Sequence, residues 1–93
     1  MTFRIIVSPP AMRDVDRLET WLLDKNPAVA ERVGETLKAA IGSLAELPYR
    51  GRPIGRGTRA LNAPFGGSVY VVRYQVRGEI VVITRIFHGR ENR

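Results

Sequence analysis

The sequence predicts an α+β fold: a mostly antiparallel β-sheet with an N-terminal α-helical hairpin packed on one face. Three observations predict it. A β-branched run opens the chain. Two amphipathic segments follow, each begun by a capping residue and a proline. The last third holds two long runs rich in Val, Ile and Tyr, split by a turn. The predicted order is β-α-α-β-β-β within a single domain, residues 1–93.

Phe3-Arg4-Ile5-Ile6-Val7 reads as a strand. Ser8-Pro9 is a helix N-cap followed by proline at the first helical position, where a missing N–H costs nothing. Ala11, Val15, Leu18 and Leu22 then recur at helical spacing, flanked by Trp21. Arg13, Asp14, Asp16, Arg17 and Glu19 fill the polar faces, and the helix is expected to stop near Asp24–Lys25. Asn26-Pro27 repeats the same start for a second helix with the stripe Ala30, Val33, Leu37, Ile41 and Leu44, closed by Pro48. A link this short makes the pair a helical hairpin. Gly34 and Gly42 are either close-packing positions against the first helix or simply tolerated there.

Residues 48–57, PYRGRPIGRG, read as a loop, and Thr58–Ala63 as a short strand. Ser68–Val76 and Glu79–Phe87 are strands separated by Arg77-Gly78. A two-residue turn there puts Tyr70, Val72 and Tyr74 on one face with Val81, Ile83 and Arg85. Val71, Arg73 and Gln75 then share the other face with Ile80, Val82, Thr84 and Ile86.

The formal charge of +6 is unevenly placed. Residues 1–47 carry six Lys/Arg against seven Asp/Glu; residues 48–93 carry nine arginines, no lysine, and only Glu79 and Glu91. An arginine-only basic half suits carboxylates or phosphates, and so an acidic protein partner or nucleic acid. The absence of cysteine rules out disulfides and fits a reducing compartment. With one histidine besides, a zinc site is not expected, nor any cofactor. No stretch approaches a membrane span, and the opening apolar run is too short for a signal peptide. The expectation is a soluble cytoplasmic protein.

His88 is the one side chain that titrates near neutrality unaided. With Arg85 and Arg90 to stabilise phosphate charge, it is the candidate for ribonucleolytic acid–base chemistry; otherwise it simply ends its strand. Arg59, Arg73 and Arg85 lie in strands where acids are scarce, which favours an exposed basic sheet face over internal pairing. Trp21, Leu23 and Val29 lie off the helical stripes, where they form either a groove for a partner peptide or ordinary exposed surface.

Together, Ser8-Pro9 with Ala11 and Asp14, Asn26-Pro27 with Ala30 and Arg32, and Leu44-Ala45 with Pro48 mark the first half. Gly51-Arg52, Thr58-Arg59 with Leu61, Tyr70-Val71-Val72-Arg73-Tyr74, and Arg85-Ile86 with His88-Gly89-Arg90 follow. In this order and spacing, over some eighty residues, the chain resembles the RelE/ParE superfamily, the toxins of bacterial type II toxin–antitoxin pairs. The resemblance implies a hetero-oligomer with a cognate antitoxin whose acidic and apolar C-terminal segment wraps the toxin, and operator DNA contacted only through that antitoxin. It implies antitoxin contacts at Trp21, Arg59, Arg73 and Arg85, and target contacts at Arg85, His88, Arg90 and Arg93. The ending and the Asn26-Pro27 helix start look more like the ParE branch, which poisons DNA gyrase by binding it. The RelE branch, ribosome-dependent mRNA endonucleases, often carries arginine where Val71 stands and a tyrosine near the C-terminus; no tyrosine follows Tyr74 here. In that branch His88, Arg85 and Arg90 would be catalytic. A third implied alternative is a non-toxic, antitoxin-binding co-repressor.

Overall fold

A computed structural model describes residues 2–91. The chain runs β1 (Arg4–Val7), α1 (Pro9–Lys25), α2 (Pro27–Ser43), β2 (Arg52–Gly55), β3 (Thr58–Phe65), β4 (Ser68–Arg77) and β5 (Ile80–His88). The strands form one sheet in the order β1-β5-β4-β3-β2. All neighbours are antiparallel except β1, which runs parallel to β5.

Both helices begin as their sequences dictate. Ser8 is the N-cap of α1, its Oγ accepting the Ala11 N–H, with proline following. Asn26 has two roles. Its N–H closes α1 on the Leu22 carbonyl at 2.7 Å, and its side chain accepts from Ala28 and Val29 to open α2. With a single residue between the helices, the hairpin has no slack.

The helices lie on one face of the sheet, α1 against β5 and α2 against β3. Between them Leu18, Leu22, Val33, Leu37 and Leu44 are buried against Val72, Tyr74, Val81 and Ile83, while Val15 and Ile41 are half-buried at its margin. Tyr74 is fully buried, and its hydroxyl accepts the Gly51 N–H at 2.8 Å, which ties the loop before β2 to the core. A Cβ on Gly51 would fall 2.6 Å from that hydroxyl, so only glycine fits. A Cβ at Gly34 or Gly42 would meet nothing within 4 Å, so neither glycine serves close packing with α1.

Three expectations are corrected. Residues 52–55, read as loop, form β2, an exposed edge strand paired to β3. The turn between β4 and β5 is Gly78-Glu79, because Arg77 pairs with Ile80. Most consequential, the β4–β5 register shifts between Arg73 and Tyr74, where Thr84 is the extra residue. Before this bulge Tyr74 pairs with Ile83 on the core face; after it Val72 pairs with Ile86, and Arg73 with Arg85. Ile86 therefore joins the core, and Arg85 shares the opposite face with Arg73, the reverse of the unbulged expectation.

Leu37 is 7% exposed at the helix–sheet contact. Leu37→Ala is expected to cost about 2–5 kcal/mol in urea unfolding. A loss well under ~1 kcal/mol would mean that this face of α2 does not carry the core.

Candidate functional site: the end of β5 and the cleft beside it

β1 pairs with β5 only as far as Val7 opposite Ile83, so residues 84–88 of β5 have an edge with no strand beside it. Buried main-chain groups need partners, and side chains provide them. The Ser8 N–H reaches the Ile83 carbonyl at 3.0 Å, and Ser8 Oγ donates to the Thr84 carbonyl at 3.3 Å. Asp14 Oδ2 accepts the Ile86 N–H at 2.8 Å, and Arg17 donates to the Ile86 carbonyl at 3.4 Å. Glu91 Oε1 accepts the His88 N–H at 2.7 Å.

Asp14 is the centre of this edge. It is 5% exposed, although the sequence alone puts it on a polar helix face. Besides Ile86 it accepts from Arg85 Nε at 2.7 Å and Nη2 at 3.1 Å, a two-pronged contact, and from Arg17 Nη2 at 3.2 Å. Burial pushes its carboxyl pKa up. The hydrogen bonds from Arg85, Ile86 and Arg17 together outweigh that and hold it below the ordinary value. Arg17 in turn donates from Nη1 to Glu91 Oε2. One chain of charges thus runs from Arg85 through Asp14 and Arg17 to Glu91.

Beside this edge, between α1 and the tip of the β3–β4 hairpin, lies a cleft of about 750 Å³. Leu18, Trp21 and Tyr70 give it apolar walls; Arg17, Arg90 and His88 supply polar groups. Tyr70 and His88 meet edge to face, with ring centroids 5.1 Å apart. His88 Nδ1 accepts the Arg90 N–H at 3.1 Å, which leaves Nε2 as the protonated nitrogen of the neutral ring. Burial, and then the Glu91 carboxylate, push the Tyr70 hydroxyl pKa up, so it remains a neutral donor. Gly89 continues the ladder, its N–H reaching the Val69 carbonyl at 2.7 Å; a Cβ there would lie 2.6 Å from Val69 Cγ1.

The structure gathers some predicted residues and scatters others. His88 and Arg90 share the cleft with Trp21. Arg85 is internally paired to Asp14, which corrects the expectation of an exposed basic face at that position. Arg59 lies elsewhere, stacked on Tyr49 with its Cζ 5.1 Å from the ring, and donating to the Tyr49 and Gly51 carbonyls. Arg73 lies over the Phe87 ring at 4.8 Å, and its buried Nε has no hydrogen-bond partner among the described residues. Arg93 lies outside the described residues. Sequence reasoning missed Asp14 and Arg17 as site residues; their only signal was an acid and a base three apart on the face adjoining Leu18. Among the described residues no group of His, Cys, Asp and Glu is placed to hold a metal ion, and no helix is long and apolar enough to cross a membrane.

This fold, a helical hairpin on one face of a five-stranded sheet, agrees with the family comparison, which places the chain among the toxins of type II toxin–antitoxin systems. The family model for the ParE toxin of the type II toxin–antitoxin system, parDE, matches residues 5–93, and the chain belongs to that family. It is 50% identical over 93 residues to Toxin RelE1 of Caulobacter vibrioides, covering all of both chains. Toxin RelE3 of the same organism is 36% identical over 87 residues, 94% of this chain and 95% of that one. A chain of the chromosomal ParDE system from P. aeruginosa superposes with a TM-score of 0.79 at 16% identity, covering 94% and 96% of the two chains; this likeness is one of fold. A chain of the RelBE2 toxin–antitoxin complex from Mycobacterium tuberculosis superposes at 0.64 with 26% identity, over 95% and 99%.

Asp14→Asn removes the charge that Arg85 and Arg17 share and is expected to cost about 1.5–3 kcal/mol, the range for hydrogen bonds to charged groups. Because the folded pKa of Asp14 lies below its ordinary value of 3.8, its contribution is complete above that pH and is lost as pH falls through the folded value. Denaturation midpoints measured across the acid range should therefore fall less steeply below pH 3.8 in the variant than in the parent. Parallel curves would remove Asp14 from this role.

Proposed function

We propose that the chain is a toxin that inhibits growth by binding DNA gyrase through the end of β5, and that a cognate antitoxin neutralises it. The observation that carries the binding reading is that Arg85, Arg17 and the His88 ring are already committed within the chain. Arg85 is held by Asp14, Arg17 by Asp14 and Glu91, and His88 Nδ1 by the Arg90 N–H. Such ties spend these cations on the chain's own carboxylates, whereas phosphate chemistry needs preorganised cations aimed at the position where charge develops. Val71 in place of the RelE-branch arginine, and no tyrosine after Tyr74, support the same reading. The antitoxin partner is supported by the toxin–antitoxin systems among the structural neighbours and by the basic second half of the chain.

A second reading, a ribosome-dependent mRNA endonuclease, is favoured by one observation. His88 lines a cleft together with Arg17 and Arg90, a base beside two cations. The RelE names of the relatives agree with it.

The two readings part on His88→Gln. For a gyrase binder the change leaves inhibition of supercoiling intact, while Arg90→Glu weakens it. For a nuclease, His88→Gln lowers mRNA cleavage on programmed ribosomes by about 100-fold. Arg85 is a poor place for this test, since its loss strips a partner from buried Asp14. Purified protein assayed with gyrase and, separately, with programmed ribosomes decides. Codon-specific cleavage without any effect on supercoiling would overturn the gyrase reading.

A further inference from the structure

We propose that four exposed arginines along β2 and at the neighbouring end of the sheet, Arg50, Arg52, Arg56 and Arg77, form a contact surface for the phosphates of duplex DNA, namely the DNA that gyrase holds. The proposal rests on the gyrase reading above. It adds a second contact, made to the DNA and not to the enzyme, apart from the β5 end.

Residues 48–77 hold six arginines and no acid, and these four are exposed. Three of them are held by neutral acceptors. Arg50 Nη1 donates to Ser43 Oγ at 2.8 Å, Arg52 Nη1 to Asn62 Oδ1 at 3.2 Å, and Arg77 Nε to Gln75 Oε1 at 3.0 Å. Among the described residues none of the four is in an ion pair, whereas Arg17 and Arg85 are both held by carboxylates. A hydroxyl or an amide fixes the direction of a guanidinium and leaves its charge whole. Such positioned, uncompensated forks of donors suit phosphate oxygens.

Arg56 is an independent sign. It stands in the β2–β3 turn with φ 54°, between Gly55 at 106° and Gly57 at 72°. This left-handed backbone suits glycine or asparagine, and a long side chain in it is uncommon. A local outlier of this kind points to a use for the side chain. Thr58 pairs with Gln75, so the turn lies at the same end of the sheet as Arg77. Residues 52 to 56 span about 13 Å at the rise of a strand, near the ~12 Å width of the major groove, so the two ends of this edge can meet phosphates on both sides of that groove. Single strands are a poorer fit. They are held by successive aromatic platforms, and Tyr49, the exposed ring before Arg50, already has Arg59 over it at 5.1 Å.

Full-length protein is titrated with a fluorescein-labelled duplex of about 20 base pairs, without gyrase, across about 50–200 mM salt. The log–log slope of affinity against salt should be roughly −3.6, about −0.9 for each of four phosphate contacts. Arg52→Gln combined with Arg56→Gln should flatten that slope by about 1.8 and weaken binding at least about tenfold at the low-salt end. Arg13→Gln combined with Lys38→Gln removes the same charge from the exposed faces of the helices and should leave the slope as it was. Arg56→Asn alone should weaken binding with no fall in melting temperature, since asparagine accepts the left-handed backbone. Equal losses in the two double variants would reduce the effect to net charge and overturn the surface. Binding to oligo(U) or polyglutamate as tight as to the duplex would overturn it too. With gyrase, the parent should bind the gyrase–DNA complex at least about tenfold more tightly than gyrase alone. The Arg52→Gln, Arg56→Gln variant should lose that gain and bind gyrase alone as the parent does; no gain in the parent overturns the contact with gyrase-held DNA. If the parent binds gyrase in neither form yet keeps its duplex slope, the gyrase reading falls and the arginine surface stands.

Discussion

The structure turns on a carboxylate that stands in for a strand. β1 stops at Val7, yet β5 continues for five residues past it. A continued β1 would have covered that edge, but the chain must leave the sheet at Ser8 to begin α1. Asp14, nearly two turns into the helix, reaches back and takes the Ile86 N–H. Burying an acid there is tolerable only because two arginines and a main-chain donor meet it at once. From this single point the position of Arg85, the orientation of Arg17 and, through Arg17, the placement of Glu91 all follow.

The helical hairpin was legible because its signals are local. Ser8-Pro9 and Asn26-Pro27 are capping chemistry, and the apolar stripes repeat with the helix period. The long strands were legible for the same reason. What sequence could not reveal depends on a count of one. The bulge at Thr84 exchanges the faces of Arg85 and Ile86, and nothing about Thr-Arg-Ile announces which residue will be extra. The short β2 was hidden by Pro53 and its flanking glycines, which read as loop but are tolerated on an edge. Asp14 was hidden because an acid among helix polar residues looks solvated until a distant strand edge claims it.

The arginine excess has an architectural side as well as a functional one. Arg59 holds the carbonyls of Tyr49 and Gly51, and so supports the loop that tethers Tyr74. Arg52 reaches Asn62 across β2 and β3, and Arg77 folds onto Gln75. Arg73 lies over the Phe87 ring with Arg85 directly opposite, a like-charge pair eased because Arg85 turns to Asp14. Lysine, a point charge without a fork, would serve few of these places. Charge that reads in the sequence as a field for partners is thus partly engaged in bracing turns and edges.

The parallel pairing of β1 with β5 has a kinetic meaning. Arg4 lies opposite Ile80, and Asp14 is joined to Ile86 across 72 positions of chain. Such closure is slow relative to hairpins and cannot occur until residues 80–88 have been made. A growing polypeptide can form the helical hairpin and the β3–β4 ladder, but its first strand waits unpaired and the Asp14 carboxylate waits in water. Synthesis itself therefore acts as a timer: the β5 end can be assembled only once residues 80–88 have been made, long after the elements that precede them.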